Sequence, residues 1–460
     1  MTSSALPPGP KDLPLVGSVF AFRRDPLTFL RETTAGFGDV VTYRFGRTPV
    51  FLLKHPDDIK DVLVTRQHDF VKGRGIQWTR MFLGDGLLTS EGTFHTRQRR
   101  LSAPAFHRQR IGAYAAVMAD YAQRARAGWR DGETLAFDVE MHALTLAIAG
   151  RTLFGEDMLD EASAIGSALT DLLTLFPRFA LPWARLLQRL PLPSNRRFER
   201  ARARLDATVY RIIRLRRQSG RDQGDLLSML MEVRDEDDGQ RMTDVQLRDE
   251  IMTLLLAGHE TTANALCWTF HLLAQHPEAE SRLHAEIDAV LGDRLPGLDD
   301  VPRLVYAERV LAEAMRLYPP AWNIGRQSLA DHTVRGYTLP AGSLFAVSTW
   351  VTHHDERWYP DPFRFDPERF LPDARAARPK FSYFPFGGGA RQCIGEQFAW
   401  MEGILLMATL AQRFRFRSAP GARVEPQALI TLRPRHGLPL VAEARPRVVR
   451  EEHARAAALA

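Results

Sequence analysis

Between Thr243 and Pro277 the chain carries one unbroken helical pattern. Thr243 and Gln246 stand at capping-box spacing, where each side chain bonds the other's backbone N–H. Apolar residues then recur at helical intervals through Leu272 and Leu273, and Pro277 closes the run. That is roughly 30 residues, or ~45 Å at 1.5 Å per residue, enough to cross a whole domain. The rest of the chain must pack around such a rod.

The middle of this helix breaks local rules. Ala257-Gly258-His259-Glu260-Thr261-Thr262 places a glycine, a carboxylate and two hydroxyls in a Leu-rich stretch. Glycine there costs about 1 kcal/mol relative to alanine, and buried Glu and Thr need partners. Such a cluster marks a kink or a functional site. A missing side chain at Gly258 would let something flat lie against the helix. A hydroxyl beside a carboxylate can hold water and pass protons. The structural alternative is Thr back-bonding at a kink, with Glu260 in an ion pair.

A second stretch, Phe386-Gly-Gly-Gly-Ala-Arg-Gln-Cys-Ile-Gly395, holds Cys393, one of only two cysteines. Its glycines allow a tight turn and a close approach to something flat or bulky. An apolar helical run follows from Glu396. A cysteine at a helix N-terminus sits where the dipole and free N–H groups favour a thiolate. With no second cysteine nearby it is not a zinc pair. One open reading is a single axial thiolate to haem iron.

Three weaker patterns accompany these. Glu313 and Arg316 lie on one helix face, as a surface ion pair or, with Arg369 of Asp361-Pro-Phe-Arg-Phe-Asp-Pro-Glu-Arg369-Phe, as a buried network locking a loop. His95 and Arg99 are four apart on one face. With Arg391 and Arg326 they could clamp two carboxylates, or form a solvated basic face. From Phe70 to Gly92 the sequence reads as a long irregular segment, either a substrate wall or a packed connector.

Elsewhere helices are expected over Asp25–Ala35, Asp57–Thr65, most of Thr93–Leu175, an Arg-rich run from Asn195 to about Gln218, and Val301–Tyr318. A hairpin is expected over Asp39–Lys54, and short strands over Arg326–Thr349 and Arg413–Leu440. Residues 1–18 form an extended lead-in, Pro182–Asn195 a proline-bearing break, and Ser219–Asp225 and the segment from Arg234 polar and acidic loops. The class is mainly α with minor β, read as one domain over 1–444. Residues 445–460 form a polar, Ala-rich tail with the composition of a disordered end.

Two distant cysteines make no disulfide framework, which fits a reducing, cytoplasmic setting. The first residues lack a signal-peptide core, and no run approaches the ~18–20 apolar residues of a membrane span. A soluble protein without a membrane anchor is expected. The formal charge of +6 is mostly arginine, and no nucleic-acid recognition motif accompanies it. A docking face for an acidic protein explains it better.

Taken together, these segments resemble the cytochrome P-450 family of haem-thiolate monooxygenases. Phe386-x-x-Gly389-x-Arg391-x-Cys393-x-Gly395 matches that family's haem-binding signature. Glu313-x-x-Arg316, Pro367-Glu368-Arg369-Phe370 and Ala257-Gly258-x-Glu260-Thr261-Thr262 match its other hallmarks, in the family's order. The fold implied is a long central helix over haem with small sheets. The resemblance implies haem b with Cys393 as the axial iron ligand, tuned by Phe386. His95, Arg99, Arg326 and Arg391 become the propionate partners, His95 standing where many members have Trp. Glu260 and Thr261 become the acid–alcohol pair that delivers protons to bound dioxygen, and Glu313, Arg316 and Arg369 become structural. Cys267 has no ligand role and reads as a small buried apolar residue.

By the same resemblance a substrate wall draws on Trp78, Phe82, Phe176, Phe179, Leu254, Ala257, Trp322, Ile324 and Ile430. This implies a medium-sized hydrophobic substrate, a terpene, fatty acid or steroid-like ring system. Electrons would come to a monomeric protein from a separate ferredoxin or flavodoxin with its reductase, docking at Arg97, Arg99, Arg100, Arg108 and Arg110. A peroxide-driven peroxygenase is the alternative, opposed by the Glu260–Thr261 pair. A non-catalytic haem sensor or carrier is a third reading.

Overall fold

The computed structural model describes residues 6–157, 162–175, 190–233 and 239–446. Its centre is one helix, Asp244–Gln275. The cap forms as expected: Gln246 N–H donates to Thr243 Oγ1 at 3.2 Å, and Thr243 N–H to Gln246 Oε1 at 2.8 Å. The helix is apolar and buried along most of its length, as a helix at the middle of a large core must be. Helices Phe137–Phe154, Pro193–Ser219, Val305–Leu317 and Glu396–Ala411 pack directly on it. Aromatic side chains fill the junction near its C-terminal half, with Phe137 centred 5.1 Å from Phe270 and 4.9 Å from Phe416.

The β structure is small and peripheral. A five-stranded sheet runs, in spatial order, Val40–Phe45, Thr48–Leu53, Leu344–Val347, Ile324–Ser328 and Phe70–Lys72. Its hairpin alternates strictly. Val41, Tyr43, Val50 and Leu52 enter one apolar cluster, and Val40, Phe51 and Leu53 enter the other, the period of two that side chains on a strand must show. A three-stranded antiparallel sheet joins Glu133–Ala136, Pro439–Ala444 and Phe414–Ser418. No helix among the described residues is long and apolar enough to cross a membrane.

Three expectations need correction. The segment from Phe70 to Gly92 is not irregular: it forms the edge strand Phe70–Lys72 and two short helices, Arg74–Trp78 and Arg80–Leu83. Its order comes from distant partners. Gly73 N–H donates to Gly325 O, and a Cβ on Gly73 would lie 2.8 Å from the Gly325 carbonyl carbon. Further on, Asp85 N–H and Leu87 N–H donate to the carboxylates of Asp249 (2.7 Å) and Glu250 (3.0 Å) on the central helix. The helix expected over Asp57–Thr65 does form, as an α-helical turn, Pro56–Lys60, that widens into a π-helical one, Asp61–Thr65. Strand Glu133–Ala136 interrupts the helical region because it pairs with a strand 300 residues away in sequence. Arg445 is not part of a loose tail; it donates to Ala411 O (2.9 Å) and to Asp288 Oδ2 (2.7 Å). Residues 447–460, and the acidic loop over 234–238, lie outside the described residues.

The Glu313–Arg316 pair is fully buried, not a surface pair. Arg316 meets Glu313 through two bonds, at 2.7 and 2.8 Å, and donates to the carbonyls of His353 and Pro362. Arg369 lies 3.5 Å from the same carboxylate and ties down Pro360 O, while Asp366 N–H completes the set. This network holds the loop before the cysteine stretch to helix Val305–Leu317.

Glu402, on helix Glu396–Ala411, is a buried carboxyl without such compensation. Burial pushes it from 4.5 up to about 8, and its neighbour Thr262 opposes that only weakly, without a well-formed hydrogen bond. Between those pH values the folded chain keeps a proton that the unfolded chain releases, so stability falls as pH rises across the window. Glu402→Gln should therefore melt at a higher temperature than the parent at pH 8, with the difference vanishing near pH 4.5. A pH-independent difference in thermal melts would contradict this.

Candidate active site around Cys393

The cysteine loop is shaped by its own glycines. Gly387 and Gly389 have φ of 73° and 69°, which side chains rarely tolerate. A Cβ on Gly389 would lie 2.0 Å from Leu63 O, and one on Gly388 would lie 2.8 Å from the Phe381 ring. At these two positions the close approach is to protein, not to a bound group as the sequence suggested. Cys393 N–H donates back to Phe386 O at 3.0 Å, and Phe386 rests 5.8 Å from Trp400. Gly395 caps the helix Glu396–Ala411.

Cys393 retains exposed surface although it is desolvated on its other sides. Burial pushes its thiol up to about 11, against the Gly395 N–H and the positive charges of Arg99 and Lys72. The expected helix-end stabilisation of a thiolate is therefore outweighed in the polypeptide alone. A directly bound cation reverses that balance, since coordination deprotonates a thiol outright.

Around the loop lies a dense group of bases. Arg99 donates to Gln392 O at 2.8 Å. Arg391 donates to Ser90 O at 2.7 Å and pairs with Glu91. His95 is buried, with Nδ1 3.4 Å from Ser90 Oγ and Nε2 without a hydrogen-bond partner. Arg326 is buried and donates to Gly325 O at 3.0 Å. Burial, compounded by mutual repulsion, drives His95 down to about 4, Arg326 down to about 10 and Lys72 well below the ordinary lysine range. Glu91 is the carboxylate that opposes them.

Such a set is short of negative charge. It suits a ligand with two carboxylates, and the exposed sulfur suits a soft or borderline metal. Haem b, with two propionates and an iron that accepts thiolate, meets both conditions. Sequence reading missed Lys72 and Glu91. Lysine is scarce in this chain, and one in an apolar strand was a signal; Glu91 gave none, because its partners come from three separate segments.

The central helix exposes Ala257 and leaves Gly258 and Thr261 half-buried amid buried neighbours. Gly258 does not make room for a flat group: a Cβ there would meet Leu153 and Ala149 at 3.7 and 3.9 Å, ordinary contacts with the next helix. Thr261 Oγ1 donates to Ala257 O at 2.9 Å. Glu260 points elsewhere, accepting from Thr431 Oγ1 (2.8 Å) and Asn264 Nδ2 (3.2 Å), with His142 Nδ1 3.5 Å away. Burial would raise its pKa, but His142, His259, Arg433 and Thr431 together lower it. The two groups are adjacent in sequence, yet their functional atoms make no hydrogen bond to each other.

The expected wall residues scatter. Ile324 lies beside the cysteine loop, its Cδ1 3.6 Å from where a Gly387 Cβ would stand. Leu254 is buried and Ile430 half-buried against the main core. Phe82 is buried against Phe198 at 6.2 Å, while Trp78 is 37% exposed. Trp322 packs into the N-terminal core, 6.3 Å from Phe22, with its indole N–H on Leu429 O. Phe176 and Phe179 lie outside the described residues, and so does the Arg108 side chain.

The family model described as cytochrome P450 matches residues 7–437. The chain is 41% identical to a cyclooctat-9-en-7-ol 5-monooxygenase of Streptomyces melanosporofaciens, over 90% of each chain. It is 37% identical to a pentalenene oxygenase of Streptomyces avermitilis, over 92% of this chain and 94% of that one. A retinoic-acid-bound cyanobacterial CYP120A1 superposes with a TM-score of 0.87 at 28% identity, covering 96% of this chain and all of the other.

Each hydrogen bond to a charged partner is worth about 1.5–3 kcal/mol. Arg326→Ala should therefore weaken haem retention by about tenfold or more, read as the haem-to-protein ratio after dialysis against apomyoglobin. Retention equal to the parent would remove Arg326 from the cradle.

Proposed function

This chain belongs to the cytochrome P450 family, and from that membership we propose that it inserts one oxygen atom of O2 into a C–H or C=C bond of a terpene-sized hydrocarbon. The observation that carries the site assignment is the convergence of Lys72, His95, Arg99, Arg326 and Arg391 beside Cys393. The substrate class is supported by the relatives named for cyclooctat-9-en-7-ol and pentalenene, and by apolar candidates such as Leu254, Ile324 and Ile430.

In this reading Cys393 is the iron ligand, and the basic residues hold the propionates. Bound haem would supply dioxygen activation, with the thiolate's electron donation favouring O–O cleavage. The chain's own residues do the rest. Apolar side chains position the hydrocarbon and exclude bulk water. Thr261 presents a hydroxyl on the half-buried face of the central helix and holds a proton there. Glu260 relays protons to it from solvent, through a bridging water or after swinging its carboxylate away from His142.

Electrons come from a separate acidic carrier, a ferredoxin or flavodoxin with its reductase, and the protein works as a monomer in the cytoplasm. Arg99 touches the cysteine loop through Gln392 O, and Arg100 and Arg110 are exposed nearby in sequence. Arg100→Glu should raise the apparent KM for the carrier several-fold, most at low ionic strength. Identical reduction kinetics would place the docking face elsewhere.

The substrate reading is tested by adding cyclic terpenes and fatty acids to the purified enzyme. Terpenes should shift the haem from low to high spin, and turnover under 18O2 should yield a product carrying one 18O atom. In the same assay Thr261→Ala should divert electrons from product to peroxide or water. A spin shift with fatty acids alone would refute the terpene class, and unchanged coupling would refute the Thr261 role.

A further inference from the structure

Behind the central helix, Glu260 meets two histidines that the oxygenase reading leaves without a task. We propose that His142, His259 and Glu260 form a binding site for a divalent transition metal of zinc's class. One ligand atom from each residue falls within a mutual distance of 4.8 Å. His142 Nδ1 lies 3.5 Å and His259 Nε2 4.0 Å from the same oxygen, Glu260 Oε2. Tetrahedral zinc with bonds of ~2.0–2.1 Å needs donors ~3.3 Å apart, so the donors must close by at most about 1.5 Å to complete the set.

The orientation of two of the donors, His259 and Glu260, is already fixed. His259 Nδ1 lies 2.6 Å from Leu255 O, so that nitrogen carries the hydrogen and the Nε2 lone pair faces the carboxylate. A carbonyl holding the second ring nitrogen is the usual support of a metal-ligating histidine. The backbone carries a further support, Thr145 Oγ1 donating to His259 O at 3.1 Å. Glu260 Oε1 is occupied by Thr431 and Asn264, leaving Oε2 for the ion. His142, with 22% of its side chain exposed, provides the way in. Two imidazoles and one carboxylate, with a fourth position open to water, match a borderline cation and not magnesium or calcium. Arg433 acts on the same carboxylate and reduces affinity.

Occupancy would hold the Glu260 carboxylate on the His142 side, away from Thr261, and so act as a brake on proton supply. The brake rests on the proton-delivery reading of Glu260; the site itself does not.

The test is equilibrium dialysis of the purified holoprotein against micromolar Zn2+, with metal analysis and thermal melts. One equivalent should bind and raise the melting temperature, while Mg2+ does neither. His142→Ala and Glu260→Gln should each weaken zinc binding at least tenfold, since even outer partners of a metal ligand are worth 10–100-fold. Zinc binding unchanged in both variants, or none in the parent, overturns the site. Stoichiometric binding with undiminished product per electron overturns the brake and keeps the site.

Discussion

A crowd of basic groups, partly or wholly buried beside one sulfur, is the constraint on which this structure depends. Lys72, Arg99, Arg326 and Arg391, with the neutral His95 among them, arrive from two strands, a helix and a loop, and Glu91 is the carboxylate that opposes their repulsion. Burying cations without counter-charge is strongly unfavourable. The arrangement makes physical sense as a cradle whose remaining negative charge comes with its cofactor. The high thiol pKa of Cys393 fits the same logic, because the stabilising charge for its thiolate is also brought by the bound group.

The scaffold serves that cradle by being stiff at a distance. The central helix is held from one side by helix Phe137–Phe154 and latches the segment Gly84–Leu87 through Asp249 and Glu250. The latch brings Ser90, Glu91 and His95 up against the cysteine loop. On the opposite approach, Arg316 and Arg369 donate to backbone carbonyls of the loop that leads into Cys393, and Glu313 accepts from Asp366 N–H of the same loop. Both devices use buried charge against backbone groups, which fixes chain direction more tightly than apolar contact does.

What could be read in the chain was what depended on local spacing. The central helix and its cap follow from Thr243, Gln246 and an apolar period; the hairpin follows from alternation; the cysteine signature is contiguous. What could not be read depended on partners far away in sequence. Strand Phe70–Lys72 is ordered by residues near 326, and Glu133–Ala136 by the C-terminal strand. Gly258 illustrates a subtler failure. Its glycine was visible, but only the packing of Ala149 and Leu153 reveals which side of the helix it faces. Trp322 looked like a wall residue by position, but its ring packs into the N-terminal core.

The proposed function rests on Cys393 serving as an iron-bound thiolate. The direct measurement is the absorption spectrum of the reduced, CO-bound protein, taken for the parent and for Cys393→Ser. The account predicts a Soret band with the thiolate red shift in the parent and its loss in the variant. A parent without that shift, or a variant that keeps it, would contradict the account.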